Sequence, residues 1–225
     1  MSYNFFIEVG ACDMDTCIPL AMNGWKGIIV EPVAIYINNL PKVEGVIYEN
    51  IGLSGDGSAR EITYIDMNHF TRKGFLISDM VGEGNIDSHG YTGDHNELID
   101  DEDLNIALDQ WIRGLGTMIR DSVEIRNAVK KYPVLHDYIK TDYVETMTLN
   151  DLIEKHDIKE IDFFKMDVEG MEYEIISNYD WSIKPKMMKF EFQHSWGDQF
   201  KEIVFNLNSM GYKYWREKTD IYAIR

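Results

Sequence analysis

Residues 161–176 read IDFFKMDVEGMEYEII, and this stretch decides the fold. An apolar run from Ile161 to Met166 gives way to Asp167, Glu169 and Glu172 around Gly170, and then to an amphipathic helix. A short apolar run followed by a glycine turn and a helix is the strand-to-helix unit of an α/β sheet. In such sheets the ligand crevice lies outside the carboxyl ends of the strands. Asp167 and Glu169 are therefore candidate site residues. Glu172 has a second reading, because an acid in the first turn of a helix is stabilised by the dipole by ~0.3–1 kcal/mol.

The same unit recurs at the start of the chain. Asn4 to Val9 (NFFIEV) stops at Gly10 and leads into a helix ending near Gly24, followed by a second apolar run, Gly27 to Glu31 (GIIVE). Glu31 stands 21 residues after Gly10. An acid about 20 residues beyond the first glycine suits the hydroxyls of a cofactor ribose. A dinucleotide site also needs a glycine where the backbone meets the pyrophosphate, and that position holds Cys12; the third glycine position holds Asp15. An acid at an anion-attracting helix start repels a diphosphate. The turn thus disfavours NAD and FAD and suits a nucleoside cofactor carrying an amino acid, whose cationic end Glu8 or Asp15 can meet. S-adenosylmethionine has that chemistry.

Three blocks resemble the FkbM-type S-adenosylmethionine-dependent methyltransferases: FIEVGACDMDT from Phe6, IIVEP from Ile28, and VETMTLNDLIEKHDIKEIDFFKMDVEGMEYEII from Val144. The last matches the family's lysine-x-aspartate-x-glutamate-glycine-x-glutamate turn at Lys165, Asp167, Glu169, Gly170 and Glu172. Three positions depart from the pattern: Asn150 and Glu8 replace aspartates, and Met14 replaces a glycine. The resemblance implies a Rossmann-like, doubly wound, mainly parallel seven-stranded sheet closed by a C-terminal antiparallel hairpin. It implies S-adenosylmethionine as cofactor and O-methylation of a glycan, sugar or other small-molecule hydroxyl. Within it, Glu31 with Pro32 would hold the ribose, while Glu8, Gly10, Ala11 and Thr16 would shape the methionine end. Asn50 and Ile51 would flank the adenine, and Asp167, which would also touch the cofactor, would line the acceptor side with Glu169 and His194. His194 follows the run KMMKFEFQ and is the expected general base, since an imidazole of pKa ~6.5 suits proton removal at neutral pH.

The rest of the chain is read more coarsely. Strands are expected at 4–9, 27–31, 44–50, 161–166, 186–192, 212–216 and 220–224, with helices at 15–23, 33–40, 170–178 and 198–210. The alternation predicts one α/β domain over 1–225, interrupted by an insertion at about 63–142. That insertion is expected to form a substrate lid; it opens with the polar, glycine-rich SDMVGEGNIDSHGYTGDH and continues into a helical part, 100–132. There Leu104, Leu108, Trp111 and Leu115 fall at steps of four, three and four, a stripe for core or for a homo-oligomer contact. His89 and His95 beside Asp87 and Asp94 lie in too flexible a stretch to fix a metal, so no metal is expected.

Composition narrows the function. The chain has 225 residues, 44% of them hydrophobic, enough for one substantial core. Its formal charge of −17 argues against nucleic acid, which is bound largely through Lys and Arg on phosphates. Cys12 and Cys17 are too few and too close for a zinc cluster or a disulfide framework. No apolar run reaches the ~20 residues that span a bilayer and no leader is evident, so no membrane partner and a cytoplasmic location are expected. Two other classes remain open: a non-catalytic S-adenosylmethionine-binding module, and a nucleotide-cofactor oxidoreductase.

Overall fold

The computed structural model describes residues 4–12, 17–66, 112, 115–192 and 197–225. Contacts divide the chain into two compact units, 1–62 with 143–225, and 63–142. In chain order the strands are β1 Phe5–Val9, β2 Lys26–Val30, β3 Val46–Glu49, β4 Gly52–Leu53, β5 Arg60–Ile65, β6 Gly116–Thr117, β7 Ile139–Val144, β8 Thr146–Met147, β9 Phe163–Met166, β10 Met187–Glu191, β11 Lys213–Glu217 and β12 Asp220–Ile224. The helices are α1 Ile18–Met22, α2 Ala34–Asn39, α3 Val123–Lys131, α4 Leu149–Lys155, α5 Glu172–Ser177 and α6 Asp198–Ser209.

The larger unit is organised by a sheet of order β11-β12-β10-β9-β1-β2-β3. Neighbours from β3 to β10 run parallel, and β12 is reversed against both β10 and β11. A mainly parallel α/β sheet is what the apolar runs predict, because strands covered on both faces carry few polar positions. The chain winds outward from β1 through β2 to β3, then returns on its other side through β9 and β10. Strand order therefore reverses between β1 and β9, and the carboxyl ends of these two strands are where an open α/β sheet places its ligand crevice.

Strands β1, β9 and β10 each carry a charged residue within an apolar run: Glu8, Lys165 and Lys189. The register aligns them, with Glu8 opposite Lys165, Lys165 opposite Lys189, and Lys189 opposite Tyr222. Residues paired this way share a face, so the charges form one row across the sheet. Around them the core is close-packed: Phe6, Ala11, Cys17, Ile18, Ala21, Ile29, Ile37 and Leu40 form one buried cluster. Phe6 lies so close over Gly27 that a Cβ there would meet its ring at 2.6 Å.

Local chemistry sets the helix ends. Thr148 caps α4 by accepting from the Asp151 amide at 3.0 Å, while the Asp151 carboxylate accepts from the Thr148 amide at 3.2 Å, a reciprocal capping box. Asn150, where the resembling family has aspartate, donates through Nδ2 to the Asn178 carbonyl and accepts from the Asp180 amide, both at 3.2 Å. A carboxylate could not make the first of these bonds.

In the smaller unit, β5 lies between β6 and β7 in a three-stranded sheet. Tyr64 donates to Asp142 at 2.7 Å, and the hydroxyls of Thr63 and Thr141 bond at 3.2 Å. Helix α3 starts at Ser122, whose hydroxyl accepts from the Glu124 and Ile125 amides. The helical expectation for 100–132 is met only by α3 among the described residues. Leu115 is buried but precedes β6 rather than extending a helical stripe. Gly114 and Gly116 flank it, and two glycines so close break a helix. Leu104, Leu108, Trp111 and the glycine-rich stretch lie outside the described residues. No helix among the described residues is long and apolar enough to cross a membrane.

Candidate active site

The turn after β1 forms where it does because only glycine fits. Gly10 has φ +74°, and a Cβ there would lie 1.7 Å from the Asp167 carbonyl oxygen. The Gly10 amide donates to Val30 O and the Asp167 amide to Val9 O, both at 2.9 Å. These bonds carry the ladder one residue past the strand ends and bring the turns of β1 and β9 into contact. Two residues on, Cys12 also has positive φ, +51°. Its amide donates to Glu31 Oε2 at 2.7 Å, and the Val33 amide donates to Glu31 Oε1 at 2.8 Å. One carboxylate thus spans the β1 turn and the entry to α2. Asn50, at the end of β3, donates through Nδ2 to the carbonyls of Glu31 and Pro32, both at 2.9 Å. The structure brings Gly10, Ala11, Glu31, Pro32 and Asn50 together at one end of the sheet, with Ile51 following Asn50.

Glu8 is placed differently from Glu31. It is fully buried, with Oε2 accepting from the Cys17 amide at 3.1 Å and Oε1 lying 3.1 Å from the Lys165 ammonium. That second contact is an ion pair rather than an aligned hydrogen bond. Glu8 therefore anchors the start of α1 from beneath and does not line the crevice surface. Burial drives the Cys17 thiol well above its ordinary range, and the neighbouring Glu8 adds to this, so the thiol stays protonated.

On the β9 side, Asp167 and Glu169 are partly exposed and share their surroundings with Glu191 from β10; the three carboxylates each offer an oxygen within 4.8 Å of the others. Burial raises the Asp167 carboxyl to about 6, Lys165 opposes this, and the like charges of Glu191 and Glu169 add to it. Asp167 can therefore exchange a proton close to neutrality. Glu172 faces inward and is fully buried, accepting from the amides of Val168 and Gly170, each at 2.9 Å. It holds the turn in shape. Glu169 has φ +50° and Gly170 φ +109°, a pair of left-handed residues that those bonds stabilise.

Thr16 and His194 lie outside the described residues, as does Met14. Two residues beyond the expected site belong with it: Lys165 as partner of Glu8, and Glu191 as neighbour of Asp167. Their signal in the sequence is a charged residue at an interior or terminal position of an otherwise apolar strand.

Comparison with curated proteins and with solved structures gives no match. Residues 8–214 match the family model described as the methyltransferase FkbM domain. That match begins at the first-strand glutamate and runs through the Asp167 turn into the closing hairpin, and the chain belongs to the FkbM methyltransferase family.

Proposed function

We propose that this methyltransferase binds S-adenosylmethionine in the crevice between the turns of β1 and β9 and methylates a hydroxyl of a sugar or other small molecule. The observation that carries the reading is the Glu31 carboxylate, fixed by two amide donors from separate segments at the carboxyl end of β2. An acid held at the end of the second strand is the position from which a Rossmann-like sheet meets the hydroxyls of a cofactor ribose. The residues fit the cofactor in two further respects: Gly10 and Ala11 present backbone with little side chain, and the acidic surroundings favour a cation. The cofactor would supply a methyl group activated on sulfonium.

The chain's own residues have the remaining tasks. Glu31, Pro32 and Asn50 orient the nucleoside. Asp167 and Glu169 face the acceptor, and Asp167, poised at about 6, can take its hydroxyl proton above that pH; His194 is the second candidate for this step. A site holding Asp167, Glu169 and Glu191 suits a neutral polyol better than an anionic acceptor, since like charges at close range repel.

Titrating the purified protein with S-adenosylhomocysteine and, separately, with NADH tests the reading by calorimetry. Binding of the former alone is expected, with Glu31→Ala weakening it about a hundredfold through the loss of two charge-assisted hydrogen bonds. Binding of NADH alone would instead assign an oxidoreductase.

A further inference from the structure

The sheet has two edges, and they differ. At one edge Val46, Tyr48 and Glu49 of β3 are partly buried, and the Tyr48 hydroxyl is tied back to Pro41 and Val43. At the other, all five residues of β11, Lys213-Tyr214-Trp215-Arg216-Glu217, are exposed, and Trp215 keeps 45% of its surface open. The register with β12 is continuous from Lys213 to Glu217, without a bulge, and the strand has no proline. Among the described residues no strand pairs with its outer side. Natural edges are commonly blunted by bulges, prolines or charges, because an open edge invites another strand.

The charges of β11 are arranged to match one specific partner, its own copy. When two such strands are laid antiparallel about a two-fold axis through Trp215, Lys213 falls opposite Glu217 and Tyr214 opposite Arg216, each pair occurring twice. Trp215 meets Trp215. On one face the result is two opposite-charge pairs flanking an aromatic pair; on the other it is two cation–π pairs. Trp215 is already stacked on Tyr222, with ring centroids 5.3 Å apart and planes 7° apart, so four aromatic rings would line up across the joint. Ile224, 46% exposed on the same face, extends this apolar strip. A parallel arrangement would oppose Lys213 to Lys213 and Glu217 to Glu217, so the strand discriminates between the two directions.

We propose that β11 is the contact through which two copies of this chain join edge to edge, antiparallel, making one continuous sheet across a two-fold axis. The self-match is isologous and closes after two copies, so it yields a dimer rather than a filament. Each chain carries a formal charge of −17, and local complementarity at a strand bearing Lys213 and Arg216 offsets that repulsion.

Sedimentation equilibrium on the full chain tests this, with circular dichroism to verify folding. A dimer is expected at about 100 μM chain, the range for a small joint. Lys213→Glu and Glu217→Lys, each placing like charges opposite one another twice, should raise the dissociation constant about tenfold. Combining the two restores opposite charges and should restore the wild-type constant. A monomer at that concentration overturns the proposal, as does a dimer indifferent to the single charge reversals, which would place its interface elsewhere, for instance on the 100–132 region.

Discussion

The turns that end β1 and β9 share a design: each contains a glycine and a non-glycine residue at positive φ, and each is held by a buried glutamate accepting two backbone amides. They differ in where that glutamate comes from. Glu172 reaches back to Val168 and Gly170 of its own turn. Glu31 belongs to the neighbouring strand and ties Cys12 to Val33, segments that are distant in sequence. A glutamate that closes its own loop is a structural part, whereas one that bridges two loops fixes their separation, and with it the width of the proposed cofactor site. Residue type alone does not separate these roles.

Substitutions can break this comparison in order of size. Gly10→Ala attacks the point where the two turns meet, forcing a Cβ against the Asp167 carbonyl at an unfavourable φ; a loss of about 4 kcal/mol, or failure to fold, is expected in urea unfolding. Asp167→Asn tests the electrostatics of the β9 turn. Its native carboxyl titrates near 6, above the ordinary carboxylate value of about 3.8, so the native state holds a proton that the unfolded chain releases earlier. That contribution is complete below about pH 4 and is lost as pH rises through 6. Wild-type stability should fall across this window and then level off. The asparagine variant should not show the fall, and near pH 7.5 it should be the more stable by up to about 3 kcal/mol.

Glu172→Gln should cost about 2 kcal/mol, by loss of charge-assisted bonds in a buried position, while leaving S-adenosylhomocysteine affinity within about twofold of wild type. An affinity loss as large as that of Glu31→Ala would erase the distinction between the two glutamates. The smallest effect is expected for Glu169→Gly, which relieves a left-handed residue and should be neutral or stabilising by up to about 1 kcal/mol. Methyl transfer should nevertheless fall if Glu169 lines the acceptor side.

The sequence makes the larger unit legible because its strands are apolar runs separated by glycine turns and amphipathic helices, two periodicities that do not mimic each other. It makes the gathering of Gly10, Glu31 and Asp167 legible as well, since the carboxyl ends of parallel neighbouring strands lie along one side of the sheet. The burial of Glu8 is not legible. It depends on Lys165 lying opposite on β9, and register between strands 157 positions apart is a property of the assembled sheet. The small sheet of β5, β6 and β7 escapes for another reason: β6 has two residues, and β7 is largely exposed, so neither carries an apolar alternation.

The bonds that join Thr63 to Thr141 and Tyr64 to Asp142 have a further consequence. The segment between them leaves and returns through neighbouring strands of one small sheet, so its two ends stand side by side. A segment clamped at its base can be lengthened, shortened or replaced wholesale without a new route for the main chain. In evolutionary terms the stretch 63–142 is a cassette, whose length and sequence can vary while the strands that frame it stay as they are.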